Sequence, residues 1–423
     1  MPHIDTKCVQ AGWNPGDGEP RVLPIYQSTT FKYTDPQKMA DLFDFNASGH
    51  FYTRLSNPTV AAVEEKIAAL EGGIGAMLTS SGQAATTAAI LTICQAGDHV
   101  VSSSAVYGGT FNLLEVTLRK LGIETTFVAP DSTAEQLQAA IRPNTKLVFG
   151  ETLSNPALDV LDIETFAKVA HANRLPLMID NTFPTPINCR PLEFGADIVI
   201  HSTSKYLDGH AMSLGGVIVD GGSFDWAASG KHSCMTEPDE SYHGLVYVEK
   251  FGKAAYISKA RAQIMRDMGG MMSPMNAFLL NVGLETLHLR MPRHVENARK
   301  VAAFLQNHPK VAWVEYPELP DNKYYQLAKK YMPKGTCGVV SFGVKGGRAA
   351  AADFMSHVEL AAVVTHVADA RTCLLHPAST THRQLSDQQL ADCGVSPDLI
   401  RLSVGIEYAD DIIADLDKAL AQV

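Results

Sequence analysis

The sequence predicts an α/β protein: a large, mostly parallel sheet with both faces covered, followed by a smaller α/β domain. Two observations carry this. Short apolar, β-branched runs alternate with stretches of helical periodicity from Gly75 onward, the pattern of right-handed βαβ units. The 423 residues, 46% hydrophobic and 19% charged, hold apolar material for two or three domains and show no repeat that would argue for a solenoid.

Residues 1–60 read as an extended arm. Turns such as Asn14-Pro15-Gly16-Asp17-Gly18 leave it little core, so it needs another surface, this subunit's or a neighbour's. A helix starts at Asn57-Pro58-Thr59, with apolar residues at helical spacing, and Gly72-Gly73 stops it. Residues 61–272 form the main domain, with strands expected at 76–79, 99–102, 125–128, 146–151, 177–180 and 198–200, and an edge strand in 214–219. The polar, glycine-containing stretch 221–244 is too long for a simple connector and reads as a functional loop. Residues 273–423 begin with a helical region from Pro274 to Phe304 that links the domains. Strands at 311–314, 339–344, 361–367 and 402–406 follow, and a last helix opens with Asp410 and Asp411, as the helix dipole prefers.

A net charge of -10, from 35 Lys+Arg against 45 Asp+Glu, argues against a general nucleic-acid or anionic-membrane binder, while a local pocket for one phosphate stays open. The start lacks a basic-then-apolar signal and no apolar run is long enough for a bilayer, so a cytoplasmic protein is expected. Cys8, Cys94, Cys189, Cys234, Cys337, Cys373 and Cys393 are scattered, without a Cys-x-x-Cys pair. That predicts free thiols and no metal cluster.

Chemistry concentrates where strands end, because ligands of open α/β sheets sit outside the carboxyl ends of the strands. The run Ile198-Val199-Ile200 leads to Ser202-Thr203-Ser204-Lys205-Tyr206, so Lys205 points into the crevice; a partly desolvated lysine there can lose its proton and form a Schiff base with an aldehyde. Ser81-Gly82-Gln83 opens a helix after a strand, where free N–H groups and the dipole bind a phosphate, although an ordinary βα turn looks the same. Ser202 and Ser204 serve the same phosphate or satisfy their own turn. Asp180 ends a buried strand, where a carboxylate is costly without a cation. A protonated pyridine nitrogen, as in pyridoxal-phosphate enzymes, is one such partner and Arg190 another. Tyr107, before Gly108-Gly109, stacks on a flat ring or packs. Asn155 donates to a phenolic oxygen of that ring or forms an Asn-Pro turn. Arg401 suits a bidentate grip on an α-carboxylate, or pairs with Glu407.

Seven motifs stand in one order: Tyr52-x-Arg54-x-x-Asn57-Pro58-Thr59, Ser81-Gly82, Tyr107-Gly108-Gly109-Thr110, Asn155-Pro156, Ile179-Asp180-Asn181-Thr182, Ser202-x-Ser204-Lys205-Tyr206 and Arg401-Leu402-Ser403. In these the chain resembles the Cys/Met-metabolism pyridoxal-phosphate enzymes over nearly its whole length. The resemblance implies a type I aminotransferase-like fold and a homotetramer built from two dimers. It implies that pyridoxal 5'-phosphate is held by Gly82, Gln83, Tyr107, Asn155, Asp180, Ser202, Ser204 and Lys205, with Tyr52 and Arg54 reaching into the neighbouring subunit's site. Lys205 then moves the substrate's Cα proton, Tyr107 and the neighbour's Tyr52 assist, and Arg401, Asn155 and His366 meet the amino-acid substrate.

Within the family, the insertion before Ser241-Tyr242-His243-Gly244 and the run 376–385 resemble the O-acetylhomoserine sulfhydrylase branch, which implies replacement of acetate by sulfide or a small thiol. Methionine γ-lyases commonly carry a cysteine where Gly109 stands. γ-Elimination and cystathionine γ-synthesis use the same carbanion chemistry and stay open as alternatives. So does a non-catalytic binding protein on this scaffold, against which Lys205 argues. His366-Val367-Ala368 departs from the Ser-Leu-Gly or Asn-Leu-Gly usual in relatives near the substrate carboxylate, where His366 shapes the site or fills space.

Overall fold

The structure, a computed structural model, describes residues 2–380, 383 and 395–423; Cys393 and, within the 376–385 run, Thr381, His382, Gln384 and Leu385 lie outside them. A seven-stranded sheet contains β1 (Gly75–Thr79), β2 (His99–Ser103), β3 (Glu124–Val128), β4 (Thr145–Glu151), β5 (Leu177–Asp180), β6 (Ile198–His201) and β7 (Gly216–Asp220), in the order β1-β7-β6-β5-β4-β2-β3. Strands β3, β2, β4, β5 and β6 are parallel, as βαβ units require. The edge position expected for 214–219 is corrected: β7 runs antiparallel between β1 and β6, and all five of its residues are buried. Its ladder satisfies the facing backbone groups of both neighbours, which would otherwise be unpaired in the core. An apolar run of this length has the same composition with one neighbour or two.

The arm is partly helical, with α1 (Ile4–Gln10) and α2 (Pro36–Phe43); Cys8 and Leu23 join the core around α3 (Pro58–Glu71). In α3 the Asn57 side chain accepts the Thr59 N–H, Pro58 occupies the first turn, and Gly72, at φ 84°, ends the helix. Both faces of the large sheet are buried: Ile179, Val199 and Val217 on the α3 side, Met178, Ile198 and Ile200 on the other. Residues 221–244 are packed by short helices, Trp226–Ser229 and Ser233–Thr236, with Trp226 stacked on Tyr256 at 5.5 Å.

The linking region is two helices, Pro274–Glu285 and Leu287–Asn307. They lead to β8 (Val311–Glu315), β9 (Val339–Val344), β10 (Ala362–Val363), β11 (Cys373–Leu375) and β12 (Leu399–Ser403), a second sheet ordered β10-β11-β12-β9-β8. The strand expected at 361–367 is corrected to the exposed pair Ala362–Val363, and that at 402–406 begins earlier, at Leu399.

Candidate active site

The C-terminal ends of β1, β2, β4, β5 and β6 open on one edge of the large sheet, the edge at which Gly82, Tyr107, Glu151, Asp180 and Lys205 stand. Asp180 ends β5. Its Oδ1 accepts the Thr182 N–H at 3.0 Å and the Thr182 hydroxyl at 2.5 Å, a local turn that fixes the carboxylate. The same hydroxyl accepts the Ser202 N–H at 2.9 Å and so joins the ends of β5 and β6. Among the described residues no cation pairs with Asp180; Arg190 pairs with Glu193. Burial pushes the Asp180 carboxyl up, opposed by its Thr182 bonds and by His201. A buried carboxylate with one oxygen pinned and no cation suits a protonated ring nitrogen.

Beside it, Ser81 caps α4 (Gly82–Leu91), its hydroxyl accepting the Ala84 N–H at 3.1 Å. That leaves the Gly82 and Gln83 N–H groups at the open end of the helix. A Cβ on Gly82 would lie 2.7 Å from the Ser202 Cβ and 3.0 Å from its Oγ, so only glycine lets the helix start close against the Ser202 turn. The result is a cradle of N–H groups and one hydroxyl, of a size and polarity that fit a phosphate. Gln83 uses its side-chain oxygen to accept the Thr110 hydroxyl at 3.3 Å. The Ser204 hydroxyl donates to the Gly215 carbonyl at 3.2 Å and accepts the Gly215 N–H at 2.9 Å, which is the alternative of a satisfied turn.

Lys205 lies in the turn after β6. Burial, followed by the Arg401 guanidinium, brings its ammonium down to about 8. Tyr107 precedes α5 (Gly108–Asn112); the residue is 49% exposed and its N–H donates to Glu151 Oε2 at 2.7 Å. A Cβ on Gly109 would lie 2.5 Å from the Tyr107 Cε1 and 2.9 Å from the Gln83 Nε2, so the ring lies against the glycine.

The second domain contributes Arg401, on β12 and 7% exposed. Its guanidinium donates to Asn155 Oδ1 at 3.3 Å, the His366 carbonyl at 3.1 Å and the Thr365 carbonyl at 3.3 Å, while its Nε is buried without a partner. Pairing with Glu407 does not occur, because that carboxylate takes the Thr372 N–H and hydroxyl. Asn155 therefore turns its carbonyl to Arg401 and keeps its amide N–H groups for another partner. The buried His366 Nε2 is also without a partner, and burial with the Lys205 charge holds this imidazole below its ordinary value. Tyr52 and Arg54 stand apart: Arg54 lies 5.4 Å over the exposed Tyr52 ring, and among the described residues neither bonds to Lys205, Asp180 or Ser202.

Two site residues stand in the sequence without an assigned role: Thr182, within the Ile179-Asp180-Asn181-Thr182 motif, and Glu151, a strand-end residue grouped with Asn155. The role of Thr182 was legible, since a hydroxyl two residues after an aspartate is a local turn signal. Glu151 was legible as a strand end, but its role was not, because its partner Tyr107 lies 44 positions away.

The described residues fit pyridoxal phosphate: an unpaired carboxylate for the ring nitrogen, a phosphate cradle, an aromatic face, and an amine close to its neutral form. Over 412 residues the chain is 48% identical to the O-acetyl-L-homoserine sulfhydrylase of Leptospira meyeri, covering 95% of this chain and 93% of that one. It is 46% identical to the homocysteine synthase of Schizosaccharomyces pombe, covering 99% and 98%. A solved structure from Campylobacter jejuni, assigned as an O-acetylhomoserine (thiol)-lyase and carrying N'-pyridoxyl-lysine-5'-monophosphate at its position 205, superposes with a TM-score of 0.95 at 35% identity over 99% of both chains. Residues 5–421 match the family described as Cys/Met metabolism PLP-dependent enzymes, and the chain belongs to that family.

Proposed function

We propose that this chain is an O-acetyl-L-homoserine sulfhydrylase, which replaces acetate by sulfide or a small thiol to give homocysteine or methionine. The observation that carries the reading is the crevice itself, where the unpaired Asp180, a Lys205 amine near its neutral form and the carboxylate-free cation Arg401 converge; the names of the relatives agree with it. Pyridoxal phosphate, when bound, supplies the electron sink for a carbanion at the substrate's Cα.

This chain's residues do the rest. The Gly82 and Gln83 N–H groups and the Ser202 hydroxyl hold the phosphate, with Ser204 keeping the Gly215 segment in place. Asp180 stays ionised opposite the ring nitrogen, and Tyr107 covers the ring. Lys205 takes and returns the proton at Cα. Arg401 and the Asn155 amide grip the α-carboxylate, and His366 lines that end of the site. Gly109 stands where methionine γ-lyases commonly carry a cysteine, which weakens the γ-elimination reading.

Residues 1–60 serve as an arm to the neighbouring subunit, 61–272 as the cofactor domain and 273–423 as the closing domain of a homotetramer of two dimers. Tyr52 and Arg54 complete the neighbour's site. Support comes from exposed apolar side chains on the arm and by the crevice: Val22, Tyr26, Phe43, Met212 and Leu214. No helix among the described residues is long and apolar enough to cross a membrane, which accords with a cytoplasmic enzyme.

Incubation with O-acetylhomoserine, with and without sulfide, tests the function. Sulfide-dependent homocysteine is expected; 2-oxobutyrate as the main product under both conditions would assign γ-elimination instead. A wild type that takes up no pyridoxal phosphate and stays colourless would refute both.

A further inference from the structure

Glu151 and Asp180 are the last residues of adjacent parallel strands and stand opposite each other in register. Register partners project to the same face, so the two carboxyl groups are neighbours at the crevice. Glu151 is 5% exposed and, among the described residues, pairs with no lysine, arginine or histidine. Its Oε2 accepts the Tyr107 N–H at 2.7 Å. Asp180 by contrast is dressed by two donors from Thr182. Two buried carboxyl groups side by side with no cation do not both ionise, and the charge settles on the one with more donors.

We infer that Glu151 is a positioning residue held in its protonated form. The pair then carries one negative charge, on Asp180, and Glu151 fixes the start of α5 so that the Tyr107 ring lies over the crevice. The inference rests on the crevice being the cofactor site. The titratable groups facing the pair are few: Asp180 faces Glu151, and His201, next to Asp180's register partner Ile200, faces Asp180. Burial first, and Asp180 second, push the Glu151 carboxyl well up. The Tyr107 N–H opposes this shift, and a neutral acid holds it less strongly than a carboxylate would, but it still accepts the bond without placing a second negative charge beside the ring nitrogen.

The test uses the cofactor-loaded protein and reads the pH midpoint of the bound cofactor's visible absorbance, together with its visible circular dichroism. E151Q keeps a neutral acceptor for the Tyr107 N–H and is expected to leave both at the wild-type values. E151A removes the acceptor and is expected to change the visible dichroism, with kcat falling more than KM rises. If Glu151 were ionised, E151Q would lower the midpoint by about one unit or more, which would overturn its neutrality. An E151A protein with wild-type dichroism would overturn the positioning role. Independently of any variant, the infrared spectrum of the loaded wild type at neutral pH should show a protonated-carboxyl stretch that shifts on isotope labelling of glutamate; its absence overturns the inference. Absence of visible absorbance from the wild type itself would instead sink the cofactor-site reading beneath it.

Discussion

Arg401→Met should affect substrate binding strongly and stability little, because the guanidinium is buried in the substrate-free protein without a carboxylate. Its contacts there are three hydrogen bonds from a charged donor to neutral oxygens, each with a net value of about 1.5–3 kcal/mol. Against them stands the desolvation that holds Arg401 below its usual range, an effective cost of several kcal/mol for a buried ion. The two nearly cancel, so Arg401→Met should leave the stability of the substrate-free protein within about 2 kcal/mol of wild type. Once a substrate carboxylate occupies the site, the same change removes one side of a buried charge pair, a loss of about 2–5 kcal/mol. At 1.4 kcal/mol per factor of ten this is about a 30- to 4,000-fold drop in kcat/KM for O-acetylhomoserine. Arg401→Lys should recover only a small part, since a point charge cannot hold Asn155, the His366 and Thr365 carbonyls and a carboxylate together. Steady-state kinetics, denaturant melts and the visible spectrum of the bound cofactor measure the three quantities separately. A drop under about threefold with cofactor uptake intact would refute the carboxylate-binding role, because even one charge-assisted hydrogen bond is stronger than that.

Three further outcomes are expected. Lys205 sits at about 8 in the folded protein, below its unfolded value near 10.4, so the unfolded chain binds more protons between those limits and the stability of the cofactor-free protein rises with pH across that window. Lys205→Met should therefore abolish turnover yet stabilise the cofactor-free protein at pH 7 by up to about 3 kcal/mol, a gain that urea melts should find fading to nothing above about pH 10.4. Gly109→Ala puts a methyl into the Tyr107 ring position, so turnover should fall by about tenfold or more and the cofactor's visible dichroism should change; unchanged dichroism would show the ring does not lie on the cofactor. Ala368 is buried at φ 67° with its N–H donating to Ser403 Oγ at 2.8 Å; the left-handed conformation costs alanine about 1 kcal/mol, and Ala368→Gly should raise the denaturation midpoint slightly.

The sequence by itself determined the elements whose signals are local. Strands β2, β4, β5 and β6 were legible because a buried parallel strand is a continuous apolar run, and Asp180 and Lys205 because each stands where such a run stops. The helix start at Ser81 and the Asn57-Pro58 cap were legible for the same reason. Only the tertiary structure decided which neighbours these elements have. The interior place of β7, the approach of Gly82 to Ser202, the Tyr107 bond to Glu151 and the reach of Arg401 across 246 positions to Asn155 all depend on sheet order and on the second domain packing against the first. Those arrangements follow from burying whole faces at once, and no window of sequence contains both sides of such a contact. Lys205 shows the division: its residue type and strand end were written in the chain, while the lowered charge affinity of its amine comes from burial and from a guanidinium that only the folded second domain delivers.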